Sequence, residues 1–510
     1  MNGAPRTVVI GAGIGGLTAA ALLLKAGHNV TVLEAHVYPG GSAGTFYHQK
    51  YRFDAGATLV GGFSPGGPHA RLAEVLGLEW PVNPVDPAWV VHLPDGRSVT
   101  QWTNGEQWRD ERNRVFAGTE KFWQLQEKLA NISWDISSRD FPWPPRSSGD
   151  FLKLARAIRV NTIAAAPYLT RTIGDLAPAA DRFFTAFLDG QLLISAQTTT
   201  DRASALYGSA ALDLPRRGVN HVRGGIGSLA TTLVGWIRAH GGEVIYRQRV
   251  QKIETTGGLA RSVITQKGLH LEADYVIANV TPWALKELLG QATPLPLTNE
   301  LSARQATWGA FTLYLGLDQS MIPDGLPDHH QIIVDHERPL GEGNSVFLSL
   351  SDQEDPDRAP AGMRAATLST HTAVDEWWRL RRLPTDDEYM ERRSLYTERL
   401  ITAAERIIPN IRAAIRLCLP GTPVTFEYYT GRPMGMVGGF AQTSLFAARG
   451  PQTGIPNLWL VGDSIFPGQS TAGTTLGAMR VANEVESAGR RLTRLWGASR
   501  LPAQKVTANE

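Results

Sequence analysis

Cysteine is nearly absent: the chain of 510 residues has one, Cys418. An internal disulfide is therefore excluded, which fits a reducing compartment or a fold that needs no cross-link. Cys418 reads as a small buried apolar side chain rather than an attachment point for a cofactor. Long hydrophobic runs are lacking too. None approaches the ~20 apolar residues of a bilayer-crossing helix. The first residues lead almost at once into a strand-like run and not into a secretory leader. These absences predict a cytoplasmic protein, attached to a membrane at its surface if at all. Neither charge dominates: 50 Lys and Arg stand against 48 Asp and Glu, a net charge of +2. No bulk field argues for nucleic acid as a partner. No metal site is expected, and no internal repeat is visible. A chain of this length buries a large core in more than one domain.

Glycine is what the chain has, in two signatures at opposite ends. Near the start, Thr7 to Ile10 is a short apolar run suited to a buried parallel strand. Gly11, Gly13 and Gly16 then form G-x-G-x-x-G. The first glycine allows a tight turn. The second lets backbone approach a pyrophosphate, and the third lets helix and strand pack closely. The spacing predicts a helix over Leu17 to Ala26, capped by Gly27. Its free N–H groups and positive end face the phosphates. Asn29 to Leu33 is the next strand, closed by Glu34. An acid about twenty residues after the glycines suits the hydroxyls of a ribose. The dense run Pro39 to Thr45, with Gly41 and Ser42, implies close backbone approach to a ligand. Tyr51 to Ala57 reads as a strand leading back toward it.

The second signature is NLWLVGDSIFPGQSTAGTTLGAMRVA, residues 457–482. A buried strand, Leu458 to Val461, ends in Gly462-Asp463. The carboxylate can accept from a ribityl hydroxyl or merely cap the turn. Gly473 lies where a helix starts near Thr474, and that helix end would stabilise negative charge on a reduced ring. Two such sites imply that the first and last parts of the chain hold one cofactor. FAD fits that better than NAD, and an oxidoreductase better than a binding module.

Between them, Gly224 to Leu229, a helix over Thr231 to His240, a strand over Glu243 to Ile253 and a strand over Asp274 to Val280 resume the dinucleotide-binding core. Two insertions interrupt it. The first holds half of the 14 tryptophans, between Trp80 and Trp143, which suits an apolar cavity or a large core. Within it, Phe151 to Arg171 has no acid. Phe151, Leu154, Ala155 and Ile158 share one helical face, and Lys153, Arg156 and Arg159 the other. This is the pattern of a membrane-docking helix or of a surface helix packing inward. The second insertion has strand-like Ala310 to Leu317 and Val346 to Leu350, then a long helix over about Asp386 to Ile408.

The motif order resembles the flavin-containing amine oxidase superfamily, and within it the phytoene desaturase and carotenoid isomerase group. The matching segments are GAGIGGLTAAALLLKAGHNVTVLEA, PGGSAGTF, YRFDAGATL, VRGGIGSLATTL and LVGDSIFPGQSTAGTTLGAMRVA. The runs YRFDAGATLVGGFSPGGPH and TGRPMGMVGGF look closest to a carotenoid 3′,4′-desaturase. Ser42 replaces an Arg common in amine oxidases, and Pro467 to Gly473 departs from the usual proline-glycine element. The resemblance implies an α/β fold: a discontinuous Rossmann-like FAD-binding domain (1–75, 215–285, 436–490) with an inserted α+β substrate-binding domain (76–214, 286–435). A docking helix at 151–166 and a loose tail at 491–510 complete it.

By the same resemblance Gly11, Gly13 and Gly16 contact the diphosphate, with Gly41 and Ser42 nearby. Glu34 meets the adenosine ribose and Val250 the adenine, while Gly462, Asp463 and Gly473 serve the flavin side. The implied reaction is desaturation of a carotenoid polyene by hydride transfer to FAD, with a quinone or oxygen as final acceptor and a membrane surface as partner. The alternatives are a carotenoid cis–trans isomerase using reduced FAD and a soluble flavin amine oxidase. The sequence identifies no base; Glu427 is a weak candidate, set against a structural role.

Overall fold

Val8, Val9 and Ile10 are apolar on both faces of their strand, so covering layers must lie on each side. The structure, a computed structural model, describes residues 3–139, 143–145, 148–178, 181–304 and 308–496. Along the chain run β1 (Arg6–Ile10), α1 (Ile14–Lys25), β2 (Asn29–Leu33), β3 (Trp89–His92), β4 (Ser98–Gln101) and α2 (Arg182–Ala196). Then come α3 (Gly227–Ala239), β5 (Glu243–Ile245), β6 (Tyr275–Ala278), β7 (Gly309–Asp318), β8 (His329–Ile333) and β9 (Ser345–Leu350). β10 (Met363–Thr372), β11 (Ile415–Gly421), α4 (Pro423–Thr430), β12 (Leu458–Leu460) and α5 (Thr471–Trp496) follow.

The first sheet has the order β5-β2-β1-β6-β12 and is parallel throughout. Helix α1 packs against both α3 and α5. Val9, Val32, Ile277 and Leu460 of the sheet and Leu17, Leu233 and Val481 of these helices are fully buried in one core. The Rossmann-like layer is thus assembled from both ends of the chain. β12 lies beside β6, which lies beside β1.

The second sheet has seven strands in the order β11-β7-β10-β9-β8-β3-β4. Only β8 and β3 pair in parallel. In β7, Phe311, Leu313, Leu315 and Leu317 point into a core with Trp377 and Tyr396. The period of two sends the alternate residues to the other face.

Several expected elements differ in extent. The strand expected over Glu243 to Ile253 is two strands. Glu243–Ile245 joins the parallel sheet, and Val250–Thr256 opens a separate antiparallel meander. Arg247 between them takes a left-handed φ of 57°. Its N–H binds His36 O at 3.0 Å, and Gln248 N–H binds Glu34 O at 2.8 Å. Helix α1 starts at Ile14, inside the glycine motif rather than at Leu17. The docking helix expected at 151–166 is broken into Ser148–Ala157 and Val160–Ile163. Arg159 is extended at the break, and its backbone N–H donates to Thr162 Oγ1 at 3.4 Å. Helix α5 continues to Trp496, past the start of the expected tail; residues 497–510 lie outside the described residues.

Candidate cofactor and substrate cavity

The tip of β1 turns sharply at Gly11, whose φ is 93°. Gly13 is the N-cap of α1 and offers no side-chain cap, and the first turn holds no acid. The end of the helix is therefore electropositive and open to a ligand. A Cβ on Gly16 would strike the Gly11 carbonyl, so the tight turn demands glycine there. Gly13 is constrained by a side chain as well. The space its Cβ would take is filled by the side-chain amide of Asn279. Asn279 follows β6, and its N–H binds Ile10 O at 2.8 Å. Its Oδ1 would stand 3.2 Å from a Cβ on Gly462. Asn279 thus stands between the two glycine motifs. The sequence reading missed it, though a polar residue straight after a buried strand marks the carboxyl edge of a parallel sheet, where ligands bind.

At the tip of β2, Glu34 accepts from Ala12 N–H and His36 N–H, both at 2.7 Å. These bonds fix a carboxylate that still has lone pairs to offer a diol. His36 packs edge-on against Tyr38 at 4.1 Å and Tyr429 of α4 at 5.8 Å. Burial holds the His36 imidazole below its ordinary pKa, against the pull of Glu34. Val250, Gly41 and Ser42 line the same cavity as Glu34.

At the other motif, Gly462 takes a φ of 113° beyond β12. Asp463 Oδ2 is bound by Arg432 Nη1 at 3.0 Å, so the acid is oriented by a guanidinium that sequence reasoning did not pair with it. Helix α5 begins at Thr471, three residues before the expected start. A Cβ on Gly473 would lie 2.7 Å from the Gly468 carbonyl. Thr471 Oγ1 meets His69 Nε2 at 3.1 Å. Burial pushes the His69 pKa down to about 3, so that ring is neutral.

One cavity of about 1790 Å³ reaches from Glu34 and Val250, past Asp463, to Trp89 and Gln191. Its wall includes the second sheet. Ala310, Thr312 and Tyr314 of β7 pair with His371, Ser369 and Thr367 of β10, and all six line the cavity. At the far side, Gln191 Oε1 accepts from Trp89 Nε1 at 2.9 Å and Gln101 Nε2 at 2.6 Å. Of the tryptophans in the first insertion, Trp89 and Trp134 line the cavity, while Trp108 and Trp123 belong to a core. Glu427 is not among the lining residues. Burial raises its carboxyl pKa against a hydrogen bond from the Met434 backbone, which suits a structural role.

Two buried amides lining this cavity are incompletely satisfied. Gln197 Oε1 and Gln469 Nε2 have no protein partner. A buried acceptor and a buried donor left open are costly unless a ligand completes them. The pyrimidine edge of a flavin, an N–H flanked by carbonyls, supplies the matching pair. The residues present therefore fit FAD, with the helix α1 end and Glu34 for its adenosine diphosphate half and Asp463 and α5 for its flavin half.

Such a cavity, opening on strand tips that carry both ends of the chain, defines an FAD-dependent oxidoreductase. The chain belongs to the flavin-containing amine oxidoreductase family, whose model matches residues 14–486. Within it the chain falls in the carotenoid desaturase and isomerase group. It is 28% identical over 499 residues to prolycopene isomerase 1 of an Oncidium hybrid cultivar, covering 94% of this chain and 83% of that one. It is 26% identical over 516 residues to the lycopene-forming phytoene desaturase of a Paracoccus species, covering 94% and 97%. Among solved structures, an oxidoreductase from Methanosarcina mazei superposes with a TM-score of 0.64 at 21% identity, over 94% of this chain and all of that one. A putrescine oxidase superposes with a TM-score of 0.60 at 16% identity, over 96% and 99%. These two likenesses show the shared fold.

Proposed function

We propose that the enzyme desaturates a carotenoid, removing two hydrogens from a C–C bond of the polyene, specifically the 3′,4′ bond of an end group. The cavity carries this reading. At about 1790 Å³ it exceeds the ~300–1,000 Å³ of ordinary ligand pockets. It has room for a dinucleotide and for a second, long molecule beyond it. The names of the relatives supply the chemistry of that second molecule. FAD, when bound, takes up the electron pair that desaturation releases. The protein binds its diphosphate at α1, its ribose at Glu34 and its ring near α5, whose positive end stabilises added negative charge. A quinone or oxygen would be the acceptor that returns the cofactor to its oxidised form.

The substrate enters from a membrane surface. No described helix is long and apolar enough to cross a bilayer. Yet Phe151, Leu152, Ile158, Val160 and Ile163 are all exposed, interleaved with exposed Lys153, Arg156 and Arg159. Arg159 reaches Asp135 at 3.5 Å, and Asp135 lines the cavity with Trp134 and Ile136. This joins the apolar segment to the cavity wall.

Cis–trans isomerisation is the second reading, favoured by relatives named prolycopene isomerases. A soluble amine oxidase has only the fold likeness to putrescine oxidase behind it. One experiment separates them. The purified holoprotein is incubated with liposomes carrying phytoene or a monocyclic carotenoid and a quinone, and absorption is followed. The expected outcome is a red shift of about one added double bond. Isomers interconverting without a new double bond would replace this reading with the isomerase.

A further inference from the structure

Desaturation leaves one hydrogen unaccounted for. The C–H electron pair leaves with its hydrogen as hydride, which reduces the bound oxidised FAD. The neighbouring carbon must then release a proton as its C–H electrons form the new C=C bond. A base in the cavity has to take that proton, and Glu427 does not line it.

We propose that His371 is this proton acceptor, an inference that rests on the desaturation reading. His371 lies on the cavity face of β10, two residues beyond Ser369 and opposite Ala310 of β7. Its Nε2 stands 3.4 Å from Gln197 Nε2. Gln197 is the C-cap of α2, with a left-handed φ of 58°. A Cβ on Gly438 would lie 2.8 Å from the Gln197 amide and 2.6 Å from Gln469 Oε1. Gly439, the next residue, abuts the Asp463 carbonyl. His371 is therefore two side chains from the flavin-side motif, on the wall that the substrate must share with the ring.

Of the other titratable groups lining the cavity, Glu287 is exposed on the helix Pro282–Leu289, and the following are committed elsewhere. Asp463 is paired with Arg432 at 3.0 Å. Burial raises the pKa of Tyr207 and Tyr314, so both keep their protons and cannot act as bases. Asp135 is bound by Arg139 and Asn161. Of the other lining imidazoles, His36 sits beside Glu34 at the adenosine end, and His48 lies on the hairpin strand Thr45–His48. His371 is held neutral by burial alone, its pKa lowered to about 4, with no charged neighbour adding to the effect. Its neutral tautomer with Nε2 unprotonated accepts from the Gln197 amide.

The test uses full-length holoprotein with a monocyclic carotenoid in liposomes and a quinone. In His371→Gln, kcat is expected to fall by about 10²–10⁴-fold, the usual contribution of a positioned acid or base, with KM and FAD content little changed. Wild-type kcat should fall toward acid pH along a single ionisation that the residual rate of the variant lacks. Imidazole NMR of the resting protein, with the His371 signal assigned by its loss in the variant, should show a neutral ring at pH 6. A wild type that desaturates alongside an equally fast His371→Gln variant with the same pH profile overturns the proton step alone. A wild type that forms no new double bond overturns the desaturation reading as well. If His371→Gln fails to retain FAD, the wild-type pH profile and the NMR titration decide: a charged ring at pH 6 overturns the proposal.

Discussion

The side-chain amide of Asn279 occupies the space into which a Cβ on Gly13 would project. One residue is the N-cap of the first helix; the other follows a strand built much later in the chain. Gly13→Ala forces this amide out of place or shifts the helix end. The expected cost is about 1–3 kcal/mol, typical of overpacking, together with a lower FAD content. Asn279→Ala removes the obstacle, so the double variant should recover part of the stability of Gly13→Ala. Thermal denaturation of the four forms checks this. Strictly additive losses would mean that the two residues do not compete for space.

The end of the cavity proposed for adenosine carries an aromatic wall that can be separated from the end proposed for the flavin ring. Tyr429 lines the cavity and meets His36. Its neighbour Tyr428 is 75% exposed and does not line the cavity. An aromatic contact contributes about 1 kcal/mol beyond buried area, or about fivefold in affinity. Tyr429→Ala is therefore expected to raise the Kd for FAD about fivefold while leaving the Kd for FMN, which lacks adenosine, unchanged. Tyr428→Ala should alter neither. Flavin fluorescence quenching on titration into apoprotein measures both ligands. Equal weakening of FAD and FMN by Tyr429→Ala would place the tyrosine elsewhere.

What could be read from the sequence was what depends on neighbours in the chain. The turn at Gly11, the helix after it and Glu34 at a strand tip form one local unit, and their placement follows from spacing. Ala310 to Leu317 was legible as a strand in the same way, though which of its faces meets the cavity was not. Contacts made by tertiary pairing were not legible. Asn279 reaches Gly13 only because β6 lies beside β1. Arg432 meets Asp463, and Gln197 meets His371, across separate elements. The strand expected over Glu243 to Ile253 failed at Arg247, whose left-handed backbone is a conformation that arginine seldom adopts alone. The single docking helix failed for a related reason: hydrophobic period does not register the extended Arg159 that breaks it.

The broken segment still makes a sharp expectation about membranes. Val160 is 86% exposed and Phe151 59%, although both are large and apolar. Water-exposed side chains of this kind contribute little to the folded monomer, so replacing them should leave thermal stability nearly unchanged. Their transfer into lipid is favourable by about 1.5–3 kcal/mol for each fully buried side chain. The triple variant Phe151→Ser, Val160→Ser, Ile163→Ser is therefore expected to lose at least about tenfold in partitioning onto neutral vesicles. Reversing Lys153 and Arg156 to Glu should act differently, weakening binding to anionic vesicles by about 1 kcal/mol for each basic residue removed and sparing neutral ones. Cosedimentation at two vesicle compositions separates the two effects. Turnover of carotenoid delivered in detergent should survive the triple variant, while turnover of carotenoid held in vesicles should fall with binding. Unchanged cosedimentation of the triple variant would show that these side chains face something other than lipid.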